Sequence, residues 1–172
     1  MTITKKIIII AFAMIFIGFS LAIGIPILRF WGNDVKKATI RLDLKESYNI
    51  GDITNVAINI DTKENTINAA EVYLTFDPQY FEVLSVDKTG SFFQIWIDNE
   101  PKFTNSNGTI SFAGGLPTPG FKGMGKIGSV TIKAKKSGST QINFTSKSRL
   151  LLDDTNGTFV PLRMDSIKVK IK

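Results

Sequence analysis

From Ala38 to the C-terminus the apolar residues of this chain recur at every second position, a period that dictates extended strands with one face inward and one outward. Ile40, Leu42 and Leu44 alternate with Arg41, Asp43 and Lys45, and Val56, Ile58 and Ile60 with Ala57, Asn59 and Asp61. Val72, Leu74 and Phe76 alternate with Glu71, Tyr73 and Thr75. Val130, Ile132 and Ala134 follow the same rule, as do Ile142 with Phe144, and Ile167, Val169 and Ile171. Turn signals separate these runs: Ile50-Gly51-Asp52, Asp77-Pro78, Asn107-Gly108, Ser137-Gly138 and Asn156-Gly157. No segment after residue 37 carries the apolar stripe of an amphipathic helix, and no internal repeat is present. Eight or nine short strands at this spacing predict an all-β sandwich or jelly roll, with alternate residues filling the space between two sheets. About 135 residues suffices for one such core.

The N-terminus is of another kind. Lys5 and Lys6 precede an uncharged run from Ile7 to Leu28. As a helix its 22 residues would reach roughly 33 Å, enough for a hydrocarbon core of ~30 Å. The run ends at Arg29 and the interfacial pair Phe30-Trp31, with Pro26 placed to kink or end the helix near its mouth. Residues 1–31 are therefore expected to be one transmembrane or signal-anchor helix, 32–37 a short linker, and 38–172 the folded domain. Ser20-Leu21-Ala22 also fits a signal-peptidase site, so cleavage after Ala22 and secretion is the alternative to a single-pass membrane protein. Lys5 and Lys6 oppose Arg29, Lys36 and Lys37, which leaves charge counting ambiguous. The very short N-terminal tail and the signal-like layout favour an extracytoplasmic C-terminal domain.

Charge and composition narrow the function. The chain is basic, +6 in all, yet residues 1–37 hold five cations against Asp34, a net +4. The rest is nearly balanced at +2, so the basicity belongs mainly to the membrane stem and not to a nucleic-acid surface. With no cysteine there is no disulfide, thiol nucleophile or thiolate metal site. With no histidine there is no Ser-His-Asp or Cys-His catalysis and no imidazole switch. Asp98 with Glu100, and Asp153 with Asp154, are the closest acidic pairs, but strand neighbours point to opposite faces and no cleft is indicated. No catalytic residue and no cofactor is assigned. Asp153-Asp154-Thr155-Asn156-Gly157 lacks the terminal Glu of a calcium loop and reads as a turn, so no metal ligand is assigned either. Gly114 to Gly125, rich in glycine and proline, reads as a surface loop connecting strands. Three Asn-x-Thr triplets, at Asn107, Asn143 and Asn156, match the glycosylation pattern and are given no role.

The order of several motifs is specific. Tyr48-Asn49-Ile50-Gly51-Asp52 is followed by Asn68-Ala69-Ala70-Glu71-Val72-Tyr73-Leu74-Thr75-Phe76-Asp77-Pro78 and by Phe81-Glu82-Val83-Leu84-Ser85-Val86. Asn107-Gly108-Thr109-Ile110-Ser111-Phe112-Ala113-Gly114 comes next, then Gly125-Lys126-Ile127-Gly128-Ser129-Val130 and Leu152-Asp153-Asp154-Thr155-Asn156-Gly157. Across residues 38–172 this series resembles the cohesin domain family. The resemblance implies a nine-stranded jelly-roll β-sandwich and a non-catalytic module. Such a module binds a dockerin-type protein partner, in systems linked to polysaccharide degradation. The calcium of such complexes belongs to the dockerin. It further implies that the partner lies across the sheet face carrying Glu71, Tyr73 and Thr75, with Ser111 and Ala113 beside them. Trp96 and Phe121 are aromatic candidates for direct carbohydrate binding, the alternative function on the same fold, while Phe92, Phe93 and Phe103 read first as core. A structural cell-envelope role is a further alternative.

Overall fold

A computed structural model describes residues 36–172. The anchor or signal segment, Ala22 and most of the linker lie outside the described residues. The described chain is all-β, as the alternation requires, and contains no helix. Its strands are β1 (Ala38–Leu42), β2 (Ser47–Tyr48), β3 (Ile53–Asp61), β4 (Ile67–Phe76), β5 (Phe81–Asp87), β6 (Ile95–Trp96), β7 (Lys102–Thr104), β8 (Thr109–Gly115), β9 (Met124–Ala134), β10 (Gly138–Phe144), β11 (Arg149–Leu152), β12 (Leu162–Asp165) and β13 (Ile167–Ile171).

They form two sheets. The first has the order β12-β1-β3-β9-β5, and the second β2-β13-β10-β4-β8-β6, with β11 also against β4 and β7 also against β8. Pairing is antiparallel except for β1 with β12 and β2 with β13. The predicted inward residues meet between the sheets: Ile40, Val56, Ile58, Val130 and Ile132 from the first, and Val72, Leu74, Ile110, Phe112, Ile142 and Val169 from the second, all buried. Each such side chain contributes about 1.5–3 kcal/mol relative to exposure. Where the Phe112 ring of β8 packs onto β9 only glycine fits, since a Cβ on Gly128 would stand 2.5 Å from that ring. Among the described residues every strand and every buried apolar residue lies between Ala38 and Ile171, so this part carries a core of its own.

The short strands β2, β6, β7, β11 and β12 show no period in the sequence because two to four residues cannot display one. The hydrogen-bonding edge of a longer neighbour makes them extended. The free edge of β5 is handled differently: the Asn105 amide accepts from the Val83 N–H at 2.8 Å and donates to the Val83 carbonyl at 2.9 Å. One side chain following β7 thus imitates a paired strand and ties the second sheet to the edge of the first. Asn105→Ala leaves both Val83 groups without that partner and should cost about 1–3 kcal/mol, read as a lower urea midpoint at unchanged m-value.

Candidate functional site

The outer face of the second sheet is built by register. On β4 the residues Ala70, Val72, Leu74 and Phe76 are buried, which turns Ala69, Glu71, Tyr73 and Thr75 outward. Cross-strand pairing then arranges this face in rows. Thr104, Thr109, Thr75 and Asn143 form a polar row. Lys102, Ser111 and Tyr73 form the next. Ala113, Glu71 and Arg149 form a third, with the Ile97 N–H donating to the Ala113 carbonyl at 3.1 Å. The last row is Ile95, Gly115, Ala69, Leu151 and Phe159, apolar from end to end. Ile95 and Ile97 near one end of this face and Phe159 at the other are 60%, 54% and 58% exposed, large apolar side chains that water does not favour.

A charged pair stands beside the apolar row. Arg149 binds Glu71 with two parallel bonds, Nε to Oε2 at 2.9 Å and Nη2 to Oε1 at 2.7 Å, and its guanidinium lies 5.7 Å from the centre of the Phe159 ring. The hydrogen bond to Glu71, and then its charge, hold the Arg149 proton more tightly than usual. The Tyr73 hydroxyl donates toward Glu71 Oε2 at 3.4 Å. Its phenol is pushed above the ordinary value, first by burial and then by the negative charges of Glu71 and Glu100. A groove of about 580 Å³ runs beside Glu71, Tyr73, Lys147, Arg149 and Phe159.

The five residues expected on this face share one side of the sheet, but not one degree of exposure. Glu71 and Tyr73 are half-buried and Thr75 is exposed, whereas Ser111 and Ala113 are buried. The side chain over β8 is Glu100: Ser111 Oγ donates to its Oε1 at 2.8 Å, and Lys102 Nζ lies 3.1 Å from the same oxygen. Glu100 Oε2 is buried with no partner. Asp98, by contrast, is exposed. Sequence reasoning weighed Glu100 only as half of an acidic pair, since nothing local shows a side chain folding back over the neighbouring strand. Ile95 and Ile97 were missed too. Their signal is faint: two isoleucines spaced by two around Trp96.

Trp96 and Phe121, the aromatic candidates, are half-buried and packed against the core. Trp96 stands edge-on to Phe93 at 5.1 Å, and Phe121 stacks on Phe92 at 4.2 Å. Phe93 is buried, and Phe92 and Phe103 are half-buried against the core. Asp154 lies in a turn, its Oδ1 accepting from the Asn156 N–H at 3.0 Å, and those bonds, that from Thr158 first, hold its carboxyl below the usual range. Among the described residues no three acidic side chains converge as metal ligands would.

Two sheets packed face to face over a shared core define a β-sandwich. The cohesin domain model matches residues 38–171, and the chain belongs to the cohesin domain family. No curated protein matches the sequence. Among solved structures, the third ScaC cohesin of Acetivibrio cellulolyticus, in complex with the ScaB dockerin, shares 18% identity. It superposes with a TM-score of 0.61, covering 78% of this chain and 98% of its own. The OlpC cohesin of Clostridium thermocellum, in complex with the dockerin Doc435, gives a TM-score of 0.64 at 15% identity over 79% and 94% of the two chains. A cohesin module from a family 33 glycoside hydrolase of Clostridium perfringens gives 0.62 at 14% identity over 79% and 96%.

Tyr73 and Tyr48 both hold their phenol protons above the ordinary value, in each case chiefly through burial. The unfolded chain releases these protons first, so stability is complete below the ordinary phenol range and falls as pH rises through it. Denaturant midpoints should drop between about pH 9 and pH 11, and Tyr73→Phe should flatten part of that drop.

Proposed function

We propose that this chain is a non-catalytic receptor module that holds a dockerin-bearing protein on the outer face of its second sheet. The observation that carries the reading is the row Ile95, Gly115, Ala69, Leu151 and Phe159, flanked by the Glu71–Arg149 pair. Such a face supplies an apolar anchor with a polar border, the composition of a protein-docking patch. The thirteen strands read as the nine of a cohesin jelly roll. β6 with β7 and β10 with β11 are single strands broken along one neighbour, while β1 with β2 and β12 with β13 are single strands that pass from one sheet to the other. The dockerin complexes of the ScaC and OlpC cohesins support a dockerin as the partner class, and a role in assembling polysaccharide-degrading enzymes follows from that class. Trp96 and Phe121 are half-buried in packing against the core, which disfavours them as a platform for a sugar, so direct carbohydrate binding is not the favoured function.

Titration calorimetry of residues 36–172 against a panel of type I and type II dockerins, with calcium, tests the reading. At least one member should bind with a Kd of about 1 μM or tighter, and Ile97→Asp should weaken it by at least ~1.4 kcal/mol, tenfold, without loss of fold. No binding by any member overturns the assignment.

We further propose that Ile7–Leu28 anchors the module in the cell membrane with the sandwich outside. The full chain should sediment with membranes, resist carbonate extraction and expose residues 36–172 to external protease. Recovery of a soluble protein beginning at Ile23 would show cleavage after Ala22 instead.

A further inference from the structure

We infer that Trp96 and Phe121 are positioning residues: a ladder of packed aromatic rings, running from the Gly/Pro loop to β6, sets where Ile95 and Ile97 stand on the docking face. This rests on the face proposed above, to which neither ring belongs.

β6 needs such support. It is two residues long and lies at the margin of its sheet. Its ties to β8 include the Gln94 N–H to the Gly115 carbonyl at 3.0 Å and the Ile97 N–H to the Ala113 carbonyl at 3.1 Å. Ile95 and Ile97 are each more than half exposed, so their own burial cannot fix them. Trp96, between them, points the other way. Its ring meets Phe93 edge-on at 5.1 Å and 79°, and Phe112 of the core at 6.5 Å. Phe93 meets Phe92 at 4.8 Å, and Phe92 stacks on Phe121 at 4.2 Å with only 13° between planes. Phe121 is in turn fixed to the start of β4, donating to the Ile67 carbonyl at 2.7 Å and accepting from the Ile67 N–H at 2.9 Å. The ladder therefore closes on β4, the strand at the centre of the face.

The space for the rings is held open by absent side chains. A Cβ on Gly114 would fall 2.7 Å from the Phe93 ring, and one on Gly125 would fall 2.6 Å from Phe121 and 3.0 Å from Phe92. The Lys88 ammonium lies 4.9 Å from the centre of the Trp96 ring. Stacked and edge-on pairs have narrow preferred geometries. Rotation of one ring is thereby passed to the next, and the loop of residues 116–123, four Gly or Pro in eight, becomes a fixed support. It is shorter than the 114–125 expected because Gly114, Gly115, Met124 and Gly125 belong to β8 and β9. The consequence is rigidity: a partner meeting Ile95 and Ile97 need not order the strand that carries them.

The test uses residues 36–172, which retain Trp96 as the sole tryptophan. Phe121→Leu keeps apolar volume but removes the stack, and Phe121→Tyr keeps the stack. In Phe121→Leu the Gln94 and Ile97 amides should exchange at least tenfold faster, while the Val72 and Phe112 amides stay at the wild-type rate, and Phe121→Tyr should restore protection. Trp96 emission should shift in parallel. The tightest dockerin of the panel should bind Phe121→Leu at least tenfold more weakly, although Phe121 is not on the face. Unchanged exchange at Gln94 and Ile97, or faster exchange spread evenly over all strands, overturns the inference. So does full affinity in a variant whose β6 amides have lost protection. If no dockerin binds the wild-type chain, the docking assignment fails, and the exchange pattern alone still decides whether the rings fix β6.

Discussion

The register between β4 and β8 is the constraint on which the rest of the molecule depends. Seven consecutive pairs, from Ala69 opposite Gly115 to Thr75 opposite Thr109, lock these strands side by side. Because side chains alternate, one alignment places Val72 with Phe112 and Leu74 with Ile110 in the core. The same alignment sets Glu71 beside Ala113, and Tyr73 beside Ser111, on the outside. A slip of one residue would exchange the two sets, exposing fully buried aromatic and aliphatic side chains. Core and outer face are thus two consequences of one hydrogen-bond ladder.

On the outer face polarity is sorted by row. Threonine and asparagine occupy one end, isoleucine, leucine and phenylalanine the other, and the bidentate Glu71–Arg149 pair stands between. An exposed pair of this kind adds little to folding, since solvent screens it. Its geometry matters more: Arg149 is held over Phe159 and Glu71 within reach of the Tyr73 hydroxyl, so polar groups at the margin of the apolar row are already oriented. Buried Glu100 adds a second device, covering β8 and holding Ser111 and Lys102 in place.

Long strands were legible because alternation over five or more residues has no other economical explanation. Val56-Ile58-Ile60 became the inner side of β3, and Val72-Leu74-Phe76 that of β4. The same alternation placed Glu71, Tyr73 and Thr75 on the outer side of β4. Exposure was less legible. Ser111 and Ala113 have outward parity and yet are buried, because parity names a face and says nothing of what folds over it. Around β6 parity itself breaks: Phe93 and Trp96 both pack inward although three residues apart, with Gln94 and Ile95 both exposed between them. An irregular segment shifts phase, and no local pattern marks where.

What the sequence determined by itself is what rests on short-range periodicity and composition. That covers an all-β core, the turn positions, a basic apolar stem distinct from a balanced domain, and the absence of thiol and imidazole chemistry. Only the tertiary structure decided which outward residues are accessible, that Ile95, Leu151 and Phe159 fall in one row, and that Trp96 and Phe121 pack against the core. The reason is physical. Ile95 and Phe159 stand 64 positions apart in the chain, and no local propensity encodes such a separation. Pairing across three intervening strands brings them into line.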